Sequence, residues 1–136
     1  MKKVLLSSLL LGLFSVTTAN AMTYKEGIAK VQSIESKYNK CLIADGKTEE
    51  LDHGSCFIDA QDGYDKLISS IRKSHSKAIN PKVWQAVNLG HVDRAKACSN
   101  EHNYLLTRVY YVKPHLLCQE QAFKSLALAA VKLHLK

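Results

Sequence analysis

Four cysteines, Cys41, Cys56, Cys98 and Cys118, constrain this chain more than any other feature, provided that it leaves the cytoplasm. The first residues decide that condition. The chain opens MKKVLLSSLLLGLFSVTTANA. Lys2 and Lys3 give a positive start, Val4 to Val16 is mostly apolar, and Ala19-Asn20-Ala21 is a small-x-small cleavage site. This is the pattern of a bacterial-type secretory signal peptide over 1–21, with cleavage expected after Ala21. The apolar run falls short of the ~20 residues that cross a bilayer. No lipoprotein cysteine follows the cleavage point, where Met22 stands. A periplasmic or secreted destination is therefore expected, with no transmembrane segment.

An even cysteine count in an exported chain reads as two disulfides. Four cysteines allow three connectivities. Cys41–Cys56 and Cys98–Cys118 are favoured because each pair encloses its own turn residues: Asp45-Gly46 and His53-Gly54 in the first, Lys113-Pro114 in the second. The spacing alone leaves a crossed pairing open. Each closure contributes about 3 kcal/mol by restricting the unfolded chain.

Without the leader, residues 22–136 are the size of one domain, which gains from cross-links. Helical spacing dominates it. Thr23-Tyr24-Lys25-Glu26 matches a capping box, and Tyr24, Ile28, Val31, Ile34, Tyr38, Cys41 and Leu42 then share one face. A polar linker follows from Asp45 to Ser55, with room for a short turn near Thr48 to Leu51. A second helix is expected over about Cys56 to Ala78, burying Phe57, Ala60, Tyr64, Leu67, Ile68, Ile71, His75 and Ala78. Asn80-Pro81 is a break and a fresh start, Asn as N-cap and Pro in the first helical position. Val83, Trp84, Val87, His91, Ala95, Cys98 and His102 continue at helical spacing. Gly90 interrupts them, either splitting the helix or admitting another backbone. Residues 104–112, YLLTRVYYV, read as a short helix or extended connector. Pro114 starts a last helix with Leu116, Phe123, Leu126, Ala127, Ala130 and Leu133 on its apolar side. The expected fold is all-α, a small helical bundle of about four helices with two disulfides.

Charge and motifs narrow the function. The whole chain carries +7; losing Lys2 and Lys3 leaves +5. The excess is dispersed and reads as solvated surface, without a nucleic-acid motif. Cys98 and His102, four residues apart with His91 nearby, have the residue types of a metal site. There is no CxxC or HExxH, so no metal and no cofactor is expected. A thiol nucleophile would need His91 or His102 as base, and the signatures of such enzymes are missing. Asp59, Asp62 and Asp65 recur every three residues, which describes a solvated helix face. Gly-x-Ser-x-Gly and Gly-rich phosphate loops are absent. The chain is expected to bind and not to catalyse. Tyr104, Tyr110 and Tyr111 with Arg108 form an aromatic-basic patch of the kind that anchors interfaces. Arg94, His102, Arg108, Tyr110 and Tyr111 are the candidate interface residues.

Cys56-x8-Asp65 on one helix, Arg94-x3-Cys98 on another and a cysteine opening the last helix give a pattern, with Cys41 before them. This frame resembles the LprI-like lysozyme-inhibitor family of exported bacterial proteins. Ile68-Ser69 stands where that family usually has Leu-Asn. The resemblance implies a helical, non-enzymatic protein of the bacterial envelope whose partner is a protein, a lysozyme or another muramidase. It carries over no inhibitory residue. The alternative is an envelope structural or stress protein that binds cell-wall polymer or anionic lipid through its lysines.

Overall fold

The computed structural model describes residues 21–44, 51–75, 79–103 and 112–136. They form four helices and, among the described residues, no strand: α1 (Tyr24–Ala44), α2 (Leu51–Ser74), α3 (Pro81–Asn103) and α4 (Val112–His134). No helix is long and apolar enough to cross a membrane. Residues 1–20 of the leader, the Asp45–Gly46 turn, Ala78 and the connector from Tyr104 to Tyr111 lie outside the described residues.

The helix starts follow local chemistry. Thr23 N–H donates to Glu26 Oε2 at 2.7 Å, and Glu26 N–H donates to Thr23 Oγ1 at 3.2 Å, so the capping box closes reciprocally. The Thr23 N–H bond first, and then the Thr23 hydroxyl, which donates to Glu26 Oε2 at 3.0 Å, hold the Glu26 carboxyl below its ordinary pKa. Asn80 caps α3: its Oδ1 accepts from Lys82 N–H at 3.0 Å. α2 begins at Leu51, earlier than the expected Cys56, and takes in Gly54 and Ser55. α4 begins at Val112, with Pro114 inside its first turn, where the missing N–H leaves no helical bond unmade.

α4 is the hub. It packs on α1, α2 and α3, with α2–α4 the broadest interface, and α1 also packs on α2. The core joins Val31, Tyr38 and Leu42 of α1 to Ala60, Tyr64, Leu67, Ile68 and Ile71 of α2, and Ala127, Ala130 and Val131 of α4. The alanines let neighbouring helices approach. α1 and α4 approach closely at Gly27, where an added Cβ would lie 2.8 Å from Leu135 Cδ1 and 3.0 Å from both Val131 methyls.

α3 is attached differently. Its buried residues, Trp84, His91 and Cys98, fall seven apart, a narrow stripe that lies mainly on α4. Trp84 lies under Arg72 (4.7 Å to the ring centroid) and edge-on to His134 (5.5 Å). His91 stacks edge-on with Phe123 at 4.6 Å, and its Nδ1 lies 3.2 Å from the Ala122 carbonyl. Gly90 neither splits α3 nor admits a backbone. The helix runs through it, and an added Cβ would meet nothing within 4 Å.

Both favoured disulfides are formed. Cys41–Cys56 joins α1 to α2 across a Cα separation of 5.8 Å, and Cys98–Cys118 joins α3 to α4 across 5.6 Å. No cysteine is free.

Candidate binding surfaces

The most unusual side chain in the core is an acid. Glu120 of α4 is 1 % exposed and accepts a 2.6 Å hydrogen bond from Tyr64 Oη, itself 0 % exposed, across the α2–α4 interface. Burial pushes the Glu120 carboxyl above its ordinary pKa, and the Tyr64 bond partly offsets this. Burial first, then the Glu120 bond, raises the Tyr64 phenol. Tyr38 lies near the same acid. Its hydroxyl is buried without a hydrogen-bond partner among the described residues, and burial lifts its pKa to about 12. At one edge of the cluster Lys124 of α4 pairs with Glu35 of α1 at 2.5 Å. Sealed groups of this kind cannot touch a substrate, so the cluster's role is to fix how α1, α2 and α4 pack.

Among the described residues, two concave surfaces stand out. The first is a groove along α1 and α2. Its shallower part, about 400 Å³, is rimmed by Lys30, Lys37 and Lys66, with Ser33 and Ser70, over a floor of Ile34, Leu67 and Met22. It continues past Ile34, Lys37 and Gly63 into a tighter part of about 210 Å³, closed by Tyr38, Ala60 and the Cys41–Cys56 disulfide, with Asp59 beside it. Gly63 opens this passage: a Cβ there would stand 3.3 Å from the Ile34 side chain. Lys30 and Lys37, seven residues apart, share one face of α1, and Lys66 answers from α2.

The second is a shallow depression of about 270 Å³ between α3 and α4, beside the Cys98–Cys118 disulfide. Arg94 and Ala97 flank it on one side, Gln121, Ala122 and Ser125 on the other. Gln119 Nε2 donates to the Ala95 carbonyl at 3.0 Å and ties the two helices next to it. α3 also exposes Val83, Leu89 and Val92 to solvent.

Of the expected interface residues, Arg94 is the one the structure places, exposed at this depression. His102 lies in α3 but its side chain is outside the described residues, as are Arg108, Tyr110 and Tyr111 entirely. Asp59, Asp62 and Asp65 are all exposed, as a solvated face requires. Partial burial raises the Asp65 carboxyl, and the nearby His91 opposes the shift. Among the described residues no group of three His, Cys, Asp or Glu side chains could hold a metal ion. Sequence reading missed the α1–α2 groove. Its signal was the seven-residue repeat of Lys30 and Lys37 on a face that also carries Ile34. The chain matches no family model, no curated protein and no solved structure.

Proposed function

We propose that this chain is an exported, disulfide-linked binding protein, resembling the lysozyme inhibitors, that blocks a peptidoglycan-cleaving enzyme. The observation that carries this reading is that all four cysteines are spent on two cross-links, in the order of the inhibitor frame. Such a chain presents a preorganised surface, which lowers the entropic cost of binding. Arg94 at the α3–α4 depression, with Leu89 and Val92 exposed on the same helix, has the residue types of an interface anchor. Charge selects among targets. A mature chain at +5 is repelled at long range by a basic lysozyme. Acidic muramidases, such as a rival bacterium's effector, are the better match. The test is titration of the oxidised protein against a panel of lysozymes and muramidases of differing charge. Inhibition at micromolar protein is expected for at least one, lost in Arg94→Glu. No loss of lytic activity with any of them would remove the reading.

A second reading has its own observation. The lysine-rimmed α1–α2 groove favours an envelope protein that binds an anionic lipid or cell-wall polymer. Binding of that kind weakens steeply as salt rises, whereas apolar protein partnering tolerates salt. A pull-down at two ionic strengths separates them.

A further inference from the structure

The α1–α2 groove is graded along its length, and the gradient identifies the chemistry of an occupant. One part has three cations, Lys30, Lys37 and Lys66, over an apolar floor. The other is narrower and largely apolar beyond Lys37, which stands at the junction of the two parts, and its acid, Asp59, lies beside Tyr38 and the Cys41–Cys56 disulfide. A long polyanion would have to lie along both parts. It would meet Asp59 at the far end and leave the apolar floor uncovered. An anion with one charged head and an apolar chain fits both parts at once. The head meets the lysines, where a low-dielectric floor strengthens the attraction. The chain covers Ile34 and passes over Gly63, which has no side chain to obstruct it. From Lys30 to Cys41 the helix advances roughly 16 Å at 1.5 Å per residue, close to the extended length of a dodecyl chain.

We infer that this groove binds a single-chain anionic amphiphile, its head on the lysine rim and its alkyl chain running toward the Cys41–Cys56 disulfide. The inference deepens the second reading above by naming the ligand class, and it does not depend on enzyme inhibition. A carboxylate or a phosphate head serves equally, because lysine ammonium groups recognise either as a point charge.

The test uses the oxidised, leader-free protein and isothermal titration with sodium laurate below its micelle concentration. Dodecyl phosphate, the neutral dodecyl maltoside and inorganic polyphosphate are run alongside. Laurate and dodecyl phosphate are expected to bind one to one, with a dissociation constant on the order of 10–100 μM, and to raise the melting temperature. Dodecyl maltoside is expected to bind at least about tenfold more weakly. Lys30→Gln with Lys66→Gln, both on exposed helix surface and with similar helix propensity, should weaken laurate about tenfold while moving the melting temperature of the free protein by no more than a few degrees. Gly63→Leu should block the chain's path. Should that variant fold poorly, the lysine variant carries the test alone. The inference is overturned by equal affinity for the maltoside, by unchanged affinity in the lysine variant, or by laurate lowering the melting temperature without a one-to-one endpoint. Polyphosphate binding without laurate binding also overturns it, yet leaves the anionic-envelope reading standing. Binding of none of the anions removes both.

Discussion

Replacing Tyr64 by Phe tests the Tyr64–Glu120 bond directly. The two groups are 0 % and 1 % exposed and stand 2.6 Å apart. Phe keeps the ring and leaves a vacancy no larger than one oxygen, so the cavity contribution is small. What is lost is a hydrogen bond to an acid that burial has already destabilised in its charged form. A bond to a charged group is worth about 1.5–3 kcal/mol. A loss of about 2 kcal/mol is therefore expected for Tyr64→Phe, or a fall of roughly 1–2 M in the urea midpoint for a domain of this size. Glu120→Leu alone strands the Tyr64 hydroxyl and is expected to cost about 1–3 kcal/mol. The double variant removes both polar partners from an apolar interface. It should be more stable than the sum of the singles predicts, with a coupling of about 2 kcal/mol. Urea unfolding followed by far-UV circular dichroism and by the fluorescence of Trp84, the single tryptophan, measures all four proteins. A Tyr64→Phe protein within ~0.5 kcal/mol of the parent, or strictly additive singles, would refute the reasoning.

The remaining predictions rest on other positions. The Glu120 carboxyl titrates near 4.5 when unfolded and higher when folded. The native chain thus keeps a proton that the unfolded chain has released, and stability present below that pH declines as pH rises through the folded value. Glu120→Gln should flatten the decline, so the variant should gain on the parent in urea titrations as pH is raised; a difference that does not change with pH would contradict this. Burial holds His134 below its ordinary 6.5, which gives the opposite sign, stability lost as pH falls below 6.5, and His134→Gln should remove that acid-side loss. Gly90→Ala should stabilise by about 0.5–1 kcal/mol, since α3 is helical there and the added methyl meets nothing; destabilisation on thermal melting would show that the site is not open. Gly27→Leu should cost about 1–3 kcal/mol by forcing α1 off Val131, read as a lower melting temperature. Cys98→Ser with Cys118→Ser should cost about 3 kcal/mol, with the α3 amides losing hydrogen-exchange protection before those of α2.

The stripes of α1 and α2 were legible because apolar side chains at helical spacing have one physical outcome, burial on a common face. Val31, Tyr38, Leu42, Ala60, Tyr64 and Ile71 all follow it. On α4 residue type misled. Glu120 lies seven residues before Ala127 and so on the buried face, but a carboxylate normally stays in water. Only a partner across the interface, Tyr64, makes its burial tolerable, and partners on other helices leave no local trace. Leu133 was expected inside and is 36 % exposed, whereas Val131 and His134 turn inward. The hydrophobicity of Leu133 outweighed its angular position in the sequence reading. Val83, at helical spacing with Val87 and His91, faces solvent because α3 meets the rest of the bundle along a line and not a broad face. Of the candidate surfaces, Arg94 was identifiable from its place beside a cysteine. The α1–α2 groove was legible in one wall alone, the Lys30–Ile34–Lys37 face of α1, since the second wall is separate in sequence and Gly63 is silent in any hydrophobic pattern.

Each covalent bridge joins helices that are neighbours in the chain, α1 to α2 and α3 to α4. Oxidation therefore yields two stapled hairpins, and their association rests on noncovalent packing, chiefly between α2 and α4. Nothing in those bridges distinguishes a hairpin's own mate from the identical mate on another molecule. At high concentration, refolding of the oxidised chain should produce swapped dimers that exchange whole halves, each half carrying its sulfur bridge intact.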